Sequence, residues 1–316
     1  MFSLIQDSDD PFFNLALEEV LLKNSKEEYL ILGINSSSVI IGKHQSAHRE
    51  INTKFIFENK IPVIRRISGG GTVFHDKGNL NFTFIQQSEK GKQVDFRKYT
   101  KPVIDFLISK GIEATFEGKN DIKVDGLKIS GNAEHVHRSR ILHHGTLLFS
   151  TSPDLLRNSL RKDTTCYTTR AVKSNPSPVT NIKDKLPGFR DIYEFRSEMM
   201  NFFLNNLSEM IPYELTQAET AEAETLAISK YKTWEWNWAY GPEYEFNNSF
   251  PINGKNHSCS LFIKDGIIWK CSIEGSDHLN SIAKKLIGCR HMVEVMQETI
   301  RKEYINFDEE DIFYFF

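Results

Sequence analysis

Hydrophobic residues first take up helical spacing at Phe13, Leu17, Val20 and Leu21, behind Asp10-Pro11, a capping carboxylate followed by a proline preset for the first helical turn. The pattern predicts a helix over 11–24. Short apolar runs predict strands over 29–34, 39–42 and 61–67. From Asn79 to Phe84 the chain alternates, Leu80, Phe82 and Phe84 on one side and Asn79, Asn81 and Thr83 on the other, which reads as a half-buried strand. Asp95 caps a predicted helix running to Lys110, with Gly111 as its stop. Asp125-Gly126 between Ile122–Val124 and Leu127–Ser130 is a hairpin signal. A strand over 141–149 follows, then a short helix from Ser152-Pro153 to about Arg161. Residues 173–187 hold three of the ten prolines and read as a loop. Helices are expected over 190–209 and 217–231.

The texture changes at Trp234-Glu235-Trp236-Asn237-Trp238 and Gly241-Pro242. Beyond it the pattern predicts strands over 245–250, 257–263 and 267–273, with Asp265-Gly266 as a turn, and helices over 277–287 and 291–304. Strands and helices interleave without a regular βαβ period, so the expected class is α/β, or α+β with mixed sheets. We place a boundary near 245, giving a large domain over 1–245 and a small α+β domain over 246–316.

Composition narrows the function classes. The chain has 316 residues, 40% hydrophobic and 26% charged, an ordinary globular balance. Its formal net charge of -3 gives no reason to expect nucleic acid as a partner. The four cysteines have no C-x-x-C spacing and read as free thiols of a reducing compartment. Met1 to Asp10 carries three aspartates and no basic residue, unlike a signal peptide, and no apolar run approaches the roughly 20 residues of a membrane span. A cytoplasmic protein is the expectation, with no membrane partner.

The chemistry concentrates in three stretches. In Arg65-Arg66-Ile67-Ser68-Gly69-Gly70-Gly71-Thr72-Val73-Phe74-His75, glycines free the backbone to approach a ligand, their N–H groups can converge on an anion, and two arginines offer charge for carboxylate or phosphate. No Gly-Lys-Ser/Thr follows, so this is not a Walker A loop, and the dinucleotide G-x-G-x-x-G spacing is absent. A glycine-rich hairpin with surface arginines is the bland alternative. In Asn120-Asp121 and Gly126 to Ala133, Lys128 reads on its own as a strand-edge lysine; its functional reading is an ammonium aimed at developing negative charge. His143-His144-Gly145-Thr146 is either a strand end or a pocket lining. His135 and His137 alternate away from Glu134, so a metal cluster is not expected there.

Together these stretches resemble the lipoate–protein ligase family. Arg65-Arg66-x-x-Gly69-Gly70-Gly71-x-Val73-x-His75 with Gly78-Asn79-x-Asn81-Phe82-Thr83 looks like its lipoate and nucleotide loop, and Asn120-Asp121 with Lys128-x-Ser130-Gly131-Asn132-Ala133 like its lysine motif. His144-Gly145-Thr146, Val179-Thr180-Asn181-Ile182 and Trp234-Glu235-Trp236-Asn237 follow in the family's order. The resemblance covers about 1–245; the tail is similar to the accessory domain of two-domain ligases. It implies a biotin/lipoate ligase-like large domain. It also implies ATP-dependent conversion of lipoate to lipoyl-AMP, then transfer to a lysine of lipoyl domains in 2-oxoacid dehydrogenase complexes and the glycine cleavage H protein.

Carried over, Arg66, Gly71, Thr72, Val73, Phe74, Asn120, Asp121 and Lys128 contact the nucleotide. Arg66, Gly70, Gly71, His75, Lys128, Ser130, Asn132, His144, Gly145 and Thr146 contact lipoate. Lys128 is the catalytic residue, and Mg2+ arrives with ATP, Asp121 being the candidate carboxylate. Where the family has a basic run after Ser174, this chain reads Asn175-Pro176-Ser177-Pro178. The rivals are an octanoyl or lipoyl transferase using Cys166 as thioester nucleophile, although the transferase's Pro-Cys-Gly context is absent here, and a non-catalytic lipoyl-domain binder.

Overall fold

The computed structural model describes residues 1–88, 94–207, 209–252, 254–275, 277–303 and 308–316. Positions 208 and 304, inside two of the predicted helices, lie outside the described residues. The chain forms two compact units drawn from interleaved segments. The first comprises 1–43, 64–156 and 174–232; the second comprises 44–63, 157–173 and 233–316. The expected cut at 245 is a single linear one, whereas the last segment of the second unit starts at 233 and two earlier segments belong to the same unit.

The first unit is built on an eight-stranded mixed sheet. Its spatial order is Ile211–Pro212, Phe2–Gln6, Tyr29–Ile34, Asn79–Gln87, Arg140–Leu148, Leu127–His137, Asp121–Val124 and Thr115–Glu117. Phe2–Gln6 pairs in parallel with both neighbours, while the central pairs are antiparallel. Leu80, Phe82 and Phe84 join Leu30, Leu32 and Leu147 in a core sealed by the helices Phe96–Ser109 and Ile192–Asn206. Each fully buried aliphatic or aromatic side chain there contributes roughly 1.5–3 kcal/mol. The opposite sheet face is not open to solvent as a half-buried strand would be: Asn79 and Thr83 are buried too. Helix Pro11–Asn24 lies on this polar side, capped as expected by Asp10, which accepts from the Phe12 N–H at 2.9 Å. Its Glu18 takes a hydrogen bond from Thr83 Oγ1 at 2.5 Å. A three-stranded sheet, Val63–Arg65, Ser38–Ile41 and Val73–His75, carries the glycine loop between two of its strands.

The Asp125-Gly126 hairpin forms with both residues at positive φ (52° and 75°). Just after it lies a bulge that the alternation pattern does not predict. Ile122 opposes Ser130 but Lys123 opposes Lys128, which leaves Ile129 as the extra residue.

The second unit is an antiparallel sheet, Tyr167–Thr169, Tyr244–Ile252, Lys255–Lys264 and Ile267–Glu274, with helices Asp277–Leu286 and Val293–Glu303. Its core includes Phe246, Leu261, Ile273, Leu286 and Met296. The tryptophan-rich stretch, read as a boundary, is a helical turn over Glu235–Ala239 that belongs to this unit. The Arg290 guanidinium stacks 4.1 Å from the Trp234 ring. Helices Ala47–Glu50 and Thr53–Glu58 escape the hydrophobic pattern because each buries a single apolar side chain, Ala47 and Ile56, beside the polar His48, Arg49, Glu50 and Thr53.

Candidate active site

The glycine loop is braced from within by the arginine expected to meet the ligand. Arg66 is buried, and burial pushes its pKa down to about 10. Its Nη2 donates to the carbonyls of Gly69 (2.6 Å) and Gly71 (2.7 Å), its Nη1 to Ile40 O (3.1 Å) and its Nε to Ser68 Oγ (2.9 Å). Arg65, fully buried, donates to the carbonyls of Gly42 and Lys43, both at 3.1 Å. Arg66 thus supplies donors to the Gly69 and Gly71 carbonyls of the glycine-rich turn, and Arg65 to the segment that follows strand Ser38–Ile41. Gly70 adopts φ +87°, and a Cβ there would stand 3.0 Å from Arg66 Nη2. At Gly71 a Cβ would meet Ser174 Oγ at 3.1 Å, and Ser174 Oγ also accepts the Thr72 N–H at 2.9 Å. Val73 and Phe74 lie in strand Val73–His75, where the Phe74 side chain is buried.

A chain of hydrogen bonds leads from this loop to the sheet. Glu18 Oε2 lies 2.9 Å from His144 Nδ1, and His144 Nε2 lies 2.6 Å from Ser68 Oγ. A carboxylate accepts, so Nδ1 carries the proton. Ser68 Oγ, already accepting from Arg66, donates its own hydrogen to Nε2. His75 is held in a second chain: Asn14 donates to Asn35 Oδ1 (2.7 Å), and Asn35 Nδ2 donates to His75 Nδ1 (2.9 Å). Burial first, then the neighbouring Arg66 guanidinium and His144, push the His75 pKa down to about 3, so it is a neutral imidazole. Glu18 and Asn35 stand in none of the motifs, and Ser68 and Thr83 stand in them without an assigned role. The readable signal for Glu18 was an acid pair, Glu18-Glu19, inside an apolar helix.

Lys128 stands at the edge of the same sheet face. Its ammonium lies 2.8 Å from Asp121 Oδ1, both side chains about one-fifth exposed (22% and 21%). A Cβ on Gly131 would meet Lys128 Cε and Nζ at 3.1 Å, so the lysine lies directly over that glycine. Residues three apart share a face here because of the bulge at Ile129. Pro178 O accepts the Lys128 N–H and Thr180 N–H donates to Lys128 O, so the loop containing Asn175-Pro176-Ser177-Pro178 clamps this strand. Thr146 Oγ1 accepts the Gly131 N–H at 3.2 Å, and a Cβ on Gly70 would lie 3.8 Å from Ala133 Cβ. Glycine loop, His75, His144, Thr146, Gly131, Lys128 and Asp121 therefore share one side of the sheet.

Ser130, Asn132 and Gly145 do not. They turn toward the hydrophobic core, where a Cβ on Gly145 would lie 2.3 Å from both Asn132 Oδ1 and the Phe82 ring. Asn132 and Asn120 are cross-linked: Asn120 O accepts from Asn132 N and Nδ2, both at 3.0 Å, and Asn120 Nδ2 donates to Asn132 O. Among the described residues no group of three His, Cys, Asp or Glu side chains is arranged to hold a metal.

Cys166 belongs to the second unit, lining an open cavity of about 500 Å³ with Asn247, Asn248 and Glu274. Its Sγ lies 4.0 Å from Asn248 Oδ1, an amide oxygen that cannot serve as a base. No helix is long and apolar enough to cross a membrane among the described residues.

The lipoyl protein ligase A/B catalytic domain family model matches residues 10–204. A lipoate–protein ligase of Bacillus subtilis is 36% identical, covering 97% of this chain and 96% of its own. Lipoate–protein ligase 1 of Staphylococcus aureus is 34% identical, covering 97% and 93%. Among solved structures, a putative lipoate protein ligase of Thermoplasma acidophilum with bound lipoic acid superposes with TM-score 0.64 at 26% identity, covering 74% of this chain and 98% of its own. A lipoate–protein ligase A bound with ATP gives TM-score 0.63 at 27% identity, covering 74% and 97%.

Proposed function

Because the chain belongs to the lipoate–protein ligase family, we propose that the polar face of its eight-stranded sheet binds ATP and lipoate and makes lipoyl-AMP, which then acylates a lysine of an acceptor domain. A carboxylate is a poor electrophile. Its oxygen attacks the α-phosphorus of ATP, the bond to the bridging oxygen breaks, and pyrophosphate leaves. The acceptor amine next attacks the acyl carbon of the mixed anhydride and AMP leaves. The observation that carries this reading is the Lys128 ammonium lying over Gly131, paired with Asp121, on the face shared with the glycine loop.

In this reading Lys128 stabilises charge on the α-phosphate and acyl oxygen. Gly70 to Val73 present backbone to the nucleotide, and Arg66 acts from behind by fixing the loop carbonyls. His75, His144 and Thr146 border the lipoyl chain. Ser130, Asn132 and Gly145 support that wall from beneath, and Phe74 contributes backbone only. Magnesium takes one or two carboxylates with phosphates completing its shell, which fits Asp121 as a single donor beside Lys128. The ion would screen phosphate charge.

Catalysis resides in the unit bearing the glycine loop, and the tail serves as an accessory. Lipoyl domains of 2-oxoacid dehydrogenase complexes and the glycine cleavage H protein are the acceptors, in the cytoplasm. One Thermoplasma relative has been studied with its E2 lipoyl domain, which supports that acceptor class. The test is pyrophosphate release requiring both lipoate and ATP with no acceptor present. Release without lipoate, or none with both, overturns the reading.

A further inference from the structure

Directly behind the proposed site, on the core side of strands Leu127–His137 and Arg140–Leu148, lies a buried polar row that the chemistry above does not use. Glu134 Oε1 is 2.8 Å from His143 Nδ1, and His143 Nε2 is 3.1 Å from Asn132 Oδ1. His143 is fully buried and the Glu134 side chain is 2% exposed. The orientation of Asn132 is not free. Its Nδ2 faces Asn120 O at 3.0 Å and Ser130 Oγ at 3.2 Å, and a carbonyl can only accept, so the amide oxygen must face the imidazole.

That orientation dictates the rest. Asn132 Oδ1 accepts, so His143 Nε2 must carry a hydrogen. In a neutral imidazole Nδ1 is then bare, and the 2.8 Å contact with Glu134 holds only if a second proton lies between them. Its resting place, on Oε1 or on Nδ1, is immaterial to the count. Without it, either a carboxylate faces the bare Nδ1, or the imidazole hydrogen moves to Nδ1 and a bare Nε2 faces Asn132 Oδ1. Rotating the amide only transfers the clash to Asn120 O.

We propose that Glu134 and His143 are positioning residues: the proton held between them orients Asn132, which fixes Asn120 and thereby Asp121 and its partner Lys128. This deepens the function proposed above and rests on the role given there to Lys128. The surroundings favour retention of the proton. Burial, opposed by a hydrogen bond from the Asp95 backbone N–H (3.1 Å) and helped least by the Asp95 carboxylate, leaves the Glu134 pKa raised to about 7. Tyr99 stacks on His143 from the same helix at 5.0 Å, and Phe96, Phe82 and Phe84 complete its shell. Burial and then neighbouring His144, on the other face, keep a charge off His143.

The sign follows from these directions. The native state holds the proton until about pH 7, and its loss above that value loosens the Asn120-Asp121 segment. Lipoate-dependent ATP–pyrophosphate exchange should therefore fall about tenfold per pH unit above the midpoint, through one deprotonation.

The experiment uses the full chain with 15N-labelled histidine, titrated from pH 5.5 to 9, with exchange measured over the same range. In the wild type, the His143 Nδ1 and Nε2 resonances and the rate of exchange should change with one midpoint. Glu134→Gln places an N–H against Nδ1 that cannot be lost, so its exchange should persist with the alkaline fall removed. Glu134→Ala, which supplies no hydrogen, should lower exchange at every pH. A merely structural contact would shift thermal stability in Glu134→Gln and keep the wild-type inflection. An unchanged inflection in Glu134→Gln, or a pH-independent His143 signal in the wild type, overturns the proposal. No exchange at any pH alongside a titrating His143 overturns the function assigned to the site and leaves the proton shared by Glu134 and His143 standing.

Discussion

Replacing Lys128 with alanine separates what that residue does for the fold from what it does for chemistry. Its ammonium meets Asp121 at 2.8 Å, but both groups are about one-fifth exposed (22% and 21%). Water screens such a pair, so its loss should cost no more than about 1 kcal/mol of stability. For a unit of this size that is a shift of only about 2–4 °C in Tm. The strand itself is held by backbone bonds to Pro178 and Thr180 that the substitution does not touch. Removing one charge-stabilising donor from a developing oxyanion, by contrast, costs about 3–4 kcal/mol, or ~10²–10³ in rate. The expected result is a folded protein with ATP–pyrophosphate exchange down at least ~100-fold. Lys128→Met, which keeps the aliphatic stem over Gly131, should behave alike. Normal exchange in either variant refutes the catalytic role. A large loss of Tm matching the loss of exchange refutes the separation and makes the ion pair structural.

Gly70→Val or Gly71→Val should weaken nucleotide binding about tenfold or more, roughly 1.4 kcal/mol, because a Cβ at each position stands 3.0–3.1 Å from Arg66 Nη2 or Ser174 Oγ; unchanged affinity by calorimetry would mean that the loop is only a turn. Cys166→Ser should retain most ATP-dependent lipoylation, since the hydrogen-bond partner of that thiol is the Asn248 amide oxygen, and loss of acyl transfer with ATP dispensable would instead establish a thioester transferase. Burial lowers the pKa of His75 to about 3 and of His291 to about 4. Both are neutral in the native state and protonated more readily when unfolded, so the stability these two contribute should be complete above about pH 6.5 and be lost as pH drops toward 4; a Tm constant from pH 7 to 4.5 contradicts this.

How far the sequence carried the argument depended on whether local rules decided each position. Asp10, Asp95 and Asp125-Gly126 act through their own backbone, and the elements they predict formed where expected. Apolar periodicity likewise located the core strand through Leu80, Phe82 and Phe84. What stayed hidden was settled by distant partners. The bracing of the Gly69 and Gly71 carbonyls by Arg66 depends on how the loop folds back on it, which the motif does not spell out. Glu18 reaches His144 across 126 positions, which no window on the sequence covers. The segments 44–63 and 157–173 join the tail's unit through tertiary packing, so composition along the chain could not assign them.

The bulge at Ile129 explains why residue spacing alone misassigns the lysine motif. Strict alternation would set Lys128, Ser130 and Asn132 on one face. One extra residue turns Lys128 to the side of Gly131 and leaves Ser130 and Asn132 on the core side. The two glycines of the neighbouring strands then have separate reasons. Gly131 is bare because the Lys128 ammonium lies over it, at 3.1 Å from where a Cβ would be. Gly145 is bare because the Asn132 amide crosses beneath it, and a Cβ there would fall 2.3 Å from its oxygen and from Phe82. The motifs Lys128-x-Ser130-Gly131-Asn132 and His144-Gly145-Thr146 are thus one object. Thr146 takes the Gly131 N–H above the sheet while Asn132 occupies the space of Gly145 below it. Neither strand can shift by one residue without setting a side chain against the other's glycine, and that fixes the register on which the Lys128 position depends.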